Sequence, residues 1–381
     1  MKNWRGGLSN VLVLVFLVGL AALMIAILSG QKPQSAGPGP SPVATAIGVQ
    51  VSPLSSPAPG ASPIKVGNPI QLTSSREASL LKENQGKFTG IVGRKDNAHT
   101  VLFEPVTGEE RQLADRVLPY AQVSGNWLIY LEESNPTALK HSRRIKIRDL
   151  KTQQEFPLGN EDNIQSNPEI SGNIVVWDDA RNGNKSEAGI YAYDLKTGKE
   201  FPVIVGQPKI GYPRISGEWI VYLHFATERA STVELRAHSL KVGEDFLIGL
   251  IPNSQDSWFG THYAIDDDKV VWTKYDPSQY LGELHLYDLK TRTDRQLTEP
   301  NNFPPAGLSM STKSGVIVYN DAGKRVVLDW LQSTPAPVSA TVPIASEWGY
   351  ELSVAGDYLI WEISLNQDNS EQQIYVAKLI R

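Results

Sequence analysis

"IYAYDLKTGKEFPV" (Ile190 to Val203) and "LHLYDLKTRTDRQL" (Leu284 to Leu297) are nearly the same phrase written twice, and "VELRAHSLKVGEDF" (Val233 to Phe246) is a worn third copy midway between them. The midpoint copy sets the repeating unit at about 45 residues, the length of one four-stranded propeller blade. Alternation in Ile190, Tyr191, Ala192 and Tyr193 reads as a strand, Asp-Leu-Lys-Thr-Gly as a turn, and the residues beyond as another strand. Asp194 suits the turn because its carboxylate can accept from the turn's backbone, and Gly198 because it takes a positive φ without steric cost. Gln153 and Arg292 hold the Gly198 position in sister repeats, so the sequence leaves the turn type open.

A second signature alternates with the first. A small or turn-forming pair is followed by a β-rich run ending in an aromatic: "VSGNWLIY" (Val123 to Tyr130), "ISGNIVVW" (Ile170 to Trp177), "ISGEWIVY" (Ile215 to Tyr222), "IDDDKVVW" (Ile265 to Trp272), "KSGVIVY" (Lys313 to Tyr319) and "VAGDYLIW" (Val354 to Trp361). Each such turn joins two strands, a and b, and each Asp-Leu-Lys-Thr-Gly turn joins two more, c and d. Copies of strand c start near Val101, Ile145, Ile190, Val233, Leu284, Val326 and Ile374, and "QGKFTGIV" (Gln85 to Val92) supplies a degenerate first a/b copy. The final copy lacks a d strand, and "NPIQLTSS" (Asn68 to Ser75) offers one at the other end of the chain. An all-β propeller of seven four-stranded blades, closed by an N-terminal strand, is the expected fold, with six blades as the rival. The terminal aromatics read as packing residues between blades.

The run "NPEISGNIVVWDDARNGNKSEAGIYAYDLKTG" (Asn167 to Gly198) resembles the repeat of TolB-like propeller proteins, through Ile-Val-Val-Trp, an acidic residue, Arg181-Asn182-Gly183-Asn184, then Ile190-Tyr191 and Asp194-Leu195. The resemblance implies a propeller outside the cytoplasm. It carries over no functional residue, and this chain has Ser-Gly-Asn or Ser-Gly-Glu where such repeats usually have Ser-Pro-Asp-Gly.

The chain has 381 residues, a formal net charge of −5 and no cysteine. Mild acidity gives no basic surface for nucleic acid, and the missing thiols exclude disulfides, thiolate metal sites and cysteine nucleophiles. Val11 to Leu28 is an uncharged apolar run, roughly 27 Å long as a helix at about 1.5 Å per residue. Lys2 and Arg5 precede it, which by the positive-inside bias puts the N-terminus in the cytoplasm. A cleaved signal peptide is the rival reading. Pro33 to Ile64 has no charged residue and holds eight of the chain's 25 prolines, the composition of an extended, disordered stalk. The expected organisation is a cytoplasmic N-terminus (1–10), a single-pass signal-anchor (11–29), a stalk (30–66) and an extracytoplasmic propeller (67–381), at the cell membrane.

In an antiparallel blade the b–c loops and the d-to-a links emerge on one face, and here the b–c connections read as long and polar, "TKYDPSQYLGE" (Thr273 to Glu283) among them. Aromatics in the links, namely Tyr120, Tyr212, Trp258, Phe259, Tyr263, Trp348 and Tyr350, are the candidate ligand-binding residues, with Phe303 a further link aromatic. The resulting expectation is a non-catalytic binding scaffold for an envelope protein, with lectin-like glycan binding as the alternative and a metal-dependent lyase or hydrolase third. No G-x-S-x-G elbow occurs. No catalytic residue, cofactor or metal ligand is assigned. His141, His224 and His262 map to the loop-rich face without metal-ligand spacing, and Asp178-Asp179 with Asn182 and Asn184, or Asp266 to Asp268, are weaker calcium candidates.

Overall fold

The computed structural model describes residues 64–380 apart from 73–77, 85–86, 94–96, 135–141, 160–163, 182–188, 208, 226–230, 254–261, 303, 322–323, 332–335, 338–351 and 365–371. The anchor and most of the stalk lie outside the described residues. Among those described, no helix is long and apolar enough to cross a membrane.

Seven antiparallel sheets form a seven-bladed propeller, in strand order a-b-c-d. Blade 1 comprises Ala78–Asn84, Lys87–Val92, His99–Glu104 and Glu109–Ala114; blade 2, Gln122–Ser124, Trp127–Ser134, Ser142–Asp149 and Glu155–Pro157; blade 3, Gln165–Ser171, Ile174–Asp179, Gly189–Asp194 and Lys199–Ile204. Blade 4 comprises Ile210–Ser216, Trp219–His224, Thr232–Ser239 and Asp245–Pro252; blade 5, Tyr263–Asp266, Lys269–Asp276, Leu281–Asp288 and Thr293–Gln296; blade 6, Ala306–Ser311, Val316–Asp321, Lys324–Asp329 and Ala336–Pro337. Blade 7 has Leu352–Ala355, Tyr358–Ser364 and Gln372–Ile380, and its fourth strand comes from the other end of the chain. Lys65 and Val66 pair with Ile380 and Leu379, and Ile70 and Gln71 with Val376 and Tyr375. Ile64 and Leu72 flank this strand and are buried, so closure supplies hydrophobic contact as well as ladder bonds.

The terminal aromatic of strand b packs onto the preceding blade. Tyr130 lies with Leu102 and Leu113 of blade 1, Trp177 with Ile129, Ile145 and Ile147 of blade 2, and Tyr222 with Ile190 and Ile204 of blade 3. Trp272 meets Val221, Leu223 and Leu235 of blade 4, Tyr319 meets Val271 and Leu284 of blade 5, and Trp361 meets Val316 and Val318 of blade 6. All six are buried. At about 2–3 kcal/mol for each large apolar side chain removed from water, these wedges carry much of the blade-to-blade adhesion. Two polar tips are met on the d strand of their own blade: Tyr222 Oη donates to Asp245 (2.7 Å) and Trp272 Nε1 to Asp294 (3.2 Å).

The serines that end the a strands at the a–b turns also reach the neighbouring blade. Ser124 Oγ donates to the Gly172 carbonyl (3.3 Å), Ser171 Oγ accepts from the Gly217 N–H (3.0 Å), and Ser311 Oγ donates to the Gly356 carbonyl (2.9 Å). One blade's turn serine thus holds the next blade's turn glycine, a link invisible to a reading of each repeat by itself.

Two sequence expectations change. The turn type left open by Gln153 and Arg292 is uniform: φ is 61° at Gln153, 69° at Gly198 and 60° at Arg292. The Asp194 carboxylate accepts from the Lys196 N–H, and Asp149 and Asp288 do the same for Lys151 and Lys290, so the aspartate fixes the turn and the left-handed residue need not be glycine. Secondly, "TKYDPSQYLGE" is mostly strand. Thr273 pairs with Leu284 and the ladder continues to Asp276 opposite Leu281, leaving a tight 277–280 turn in which Asp276 accepts from the Ser278 N–H (2.8 Å) and Gln279 Nε2 (2.9 Å). Polar composition was mistaken there for loop, although alternating residues extend the hairpin.

Candidate functional site at the inner mouth of the propeller

The a strands of successive blades are innermost and surround the shaft of the ring. Four residues before the turn serines Ser124, Ser171, Ser216 and Ser311 stand Tyr120, Asn167, Tyr212 and Gly307. All four have left-handed backbone, with φ of 58°, 49°, 56° and 63°. In blades 3, 4 and 6 the a–b register slips at this point, so the residue is an extra one bulged from the ladder. These bulges open each a strand on the face that carries the b–c loops and the d-to-a links.

Glycine adopts this conformation freely, as Gly307 does. A bulky residue pays roughly 1–2 kcal/mol for it. Asn167 and Tyr212 also precede prolines, which narrows their allowed backbone further. Tyrosine at two of the four positions therefore costs stability that glycine would spare, and its return must lie in the side chain. Tyr120 is 48% exposed and Tyr212 partly buried, its ring 6.1 Å from that of Phe225. Burial, with the neighbouring Asp178 and Tyr120, raises the Tyr212 phenol.

Beneath Tyr212 lies Asp178, the last-but-one residue of strand b in blade 3. Its Oδ2 accepts from Asn167 Nδ2 (2.6 Å) and from the Tyr212 N–H (3.2 Å), joining two blades. Its Oδ1 is buried and accepts no hydrogen bond from the described groups. Burial pushes this carboxyl up to about 7; the two hydrogen bonds oppose the rise and Asp179 adds to it. Asp179 is engaged elsewhere, accepting from Trp177 Nε1 and Arg181 (both 3.0 Å).

The structure distributes the sequence candidates unevenly. Tyr120 and Tyr212 stand at the mouth. Tyr263 is fully buried: its hydroxyl donates to the Tyr212 carbonyl and the Arg214 guanidinium lies 5.0 Å over its ring, so it supports the Tyr212 arm from below instead of offering a contact face. Trp258, Phe259, Trp348, Tyr350 and Phe303 lie outside the described residues. Asn167 was missed as a site residue; the signal for it was its alignment with Tyr120 and Tyr212 once the repeats are stacked on their serines.

The metal candidates resolve into hydrogen-bonding roles. His262 Nδ1–H donates to the Pro305 carbonyl (3.0 Å), and burial lowers its pKa. His224 pairs with Glu234 (3.0 Å), while His141, Asn182 and Asn184 lie outside the described residues. Asp266 accepts from the Thr312 N–H and hydroxyl, and Asp268 meets Lys269 and Lys290, so these carboxylates face donors and cations. Among the described residues no group of three or more histidines and carboxylates is placed to hold a metal ion.

No family model matches the chain. No curated protein matches it. Solved structures do. An oligogalacturonate lyase in complex with manganese superposes with a TM-score of 0.56 at 13% identity, over 84% of this chain and 97% of the lyase. A puromycin hydrolase superposes at 0.53 and 14% identity, over 77% of this chain and 51% of the hydrolase. TolB from Acinetobacter baumannii is also similar, at 0.41 and 12% identity, over 80% of this chain and 79% of TolB. At such identities the likeness is one of fold. It nonetheless corrects the expectation of a non-catalytic scaffold: the lyase and the hydrolase named here both superpose above 0.5, so a fold of this kind gives no ground for a purely passive role.

Proposed function

We propose that the protein acts on an oligosaccharide taken at the inner mouth of its loop-rich face, with Tyr120 and Tyr212 as the contact residues and Asn167 and Asp178 beneath them. The observation that carries this reading is the pair of tyrosines held in left-handed backbone at positions where blade 6 uses glycine. Pyranose rings present flat C–H faces and a rim of hydroxyls; exposed tyrosine supplies an apolar face with a polar edge for both. The lyase likeness supports a saccharide over a peptide by analogy of fold, since it spans nearly the whole lyase but only about half of the hydrolase. The described residues do not fit the manganese that accompanies the lyase, so no step is routed through a metal. The uncharged run from Val11 to Leu28 supports a membrane anchor holding the propeller outside the cytoplasm.

The test is Tyr120→Gly, measured twice. If Tyr120 serves a ligand, the variant gains about 1 kcal/mol in urea denaturation because strain is relieved, and loses binding to uronate or neutral oligosaccharides followed by calorimetry, with product formation tracked by chromatography. A variant that is destabilised, or that binds and converts the oligosaccharides as the parent does, refutes the reading.

A further inference from the structure

Asp178 joins two blades, and the joint involves the site. We propose that Asp178 is a proton-coupled positioning residue: it holds the Tyr212 arm of the mouth in place while it carries a proton and releases the arm when it ionises. The assignment of a ligand rests on the reading above; the positioning role is measured without one.

The geometry leaves little slack. Tyr212 is held at its N–H by Asp178 Oδ2, at its carbonyl by the Tyr263 hydroxyl, and at its ring by Phe225. Gly211 is the close-approach residue, since a Cβ there would stand 3.3 Å from Asp178 Oδ2. Asn167 supplies the second donor to that oxygen. A buried carboxylate has roughly four acceptor sites to satisfy, and among the described residues two donors reach this one. The neutral acid leaves at most one O–H without an acceptor among the described groups, a smaller cost than a bare charge. The anion leaves Oδ1 as a desolvated, unpartnered charge, which is among the costliest arrangements a protein interior can hold.

The two hydrogen bonds to Oδ2 favour the anion, but burial outweighs them. Asp179, adjacent on strand b of blade 3, adds like charge. Tyr212 of blade 4 and Tyr263 of blade 5 are raised phenols that stay neutral, and Arg214 and Glu169, of opposite sign, both act on Tyr263. Burial thus pushes the Asp178 carboxyl up to about 7, from an ordinary 3.8. With the folded value raised, the stabilisation is complete below the ordinary value and is lost as pH rises through 7. Relief comes most directly by letting water reach Oδ1, and that hydration outweighs the Tyr212 N–H bond, a single donor that by itself favours the anion.

The experiment is hydrogen–deuterium exchange on the full chain without ligand, at pH 6 and pH 8, corrected for intrinsic rates. The expected result is a roughly tenfold loss of protection at Tyr212 between the two values, the effect of one linked proton, with no such loss in Asp178→Asn. An Asn167→Gly variant, which removes one donor to the carboxylate while suiting the left-handed backbone, keeps the transition but moves it to higher pH. Protection at Tyr212 that is independent of pH in the parent, or that falls equally in Asp178→Asn, overturns the proposal. A parent that shows the transition yet binds no oligosaccharide supports the positioning role and removes only the ligand assignment.

Discussion

Gly249, on the outer strand of blade 4, tests whether the aromatic wedges set the spacing between blades. A Cβ at this position would stand 2.2 Å from Cη2, 2.6 Å from Cζ3 and 3.1 Å from Cζ2 of Trp272, the wedge of blade 5. Gly249 does not have left-handed backbone, so Gly249→Ala would ordinarily gain about 0.5–1 kcal/mol from a stiffer unfolded chain. Opposing that is an overlap of more than 1 Å with an indole that has nowhere to go. Trp272 is 2% exposed, its Nε1 donates to Asp294, and the His285 ring lies 5.4 Å away. Overpacking of this severity costs about 1–3 kcal/mol or more, so the net expectation is destabilisation of about 1–3 kcal/mol in urea denaturation at 25 °C. Trp272→Phe removes the colliding ring atoms, and in that background Gly249→Ala should be close to neutral, giving a coupling of at least about 1 kcal/mol in the double-mutant cycle. Equal or raised stability of Gly249→Ala in the parent, or additivity in the cycle, would show that the indole does not set the distance between blades 4 and 5.

Other perturbations follow from the same contacts. Ser171→Ala removes the acceptor of the Gly217 N–H between blades 3 and 4; a loss of about 1 kcal/mol is expected by denaturant titration, and no change would demote the turn serines to turn formers. Tyr222→Phe removes the donor to Asp245, which keeps its Arg236 partner, so a smaller loss of about 0.5–1.5 kcal/mol is expected from thermal unfolding. Leu72→Asp puts a charge into the buried end of the closing strand; a loss of about 3 kcal/mol or more, with increased proteolysis of the strand, is expected, and wild-type resistance would show that closure is dispensable.

Much of the fold was legible in the chain because it repeats. Stacking the copies aligned Tyr130, Trp177, Tyr222, Trp272, Tyr319 and Trp361, and residues that recur once per blade at the end of an apolar strand have one plausible use, packing between neighbours. The closing strand was legible too, since "IQLT" matched the d strand of blade 5 and the last blade lacked one. Of the mouth, Tyr120 and Tyr212 could be read as aromatics outside the core pattern, but Tyr263, chosen on the same ground, is buried. Stacked on the turn residues, Tyr120 and Tyr212 share one position and Tyr263 falls one residue later, level with Ala121 and Pro213; packing across the blades shows that this second position is buried.

The sequence by itself determined the repeating unit, the a–b and c–d turns and the wedge residues, and favoured seven blades over six, because each follows from local alternation and a period that any one blade must obey. Tertiary structure alone decided which side of the turn serine meets the next blade, that Asn167, Asp178 and Tyr212 converge, and that burial pushes the Asp178 carboxyl up to about 7. Those features depend on residues from different blades brought within hydrogen-bond reach and removed from water. Desolvation is a property of the assembled ring, and no single repeat encodes it.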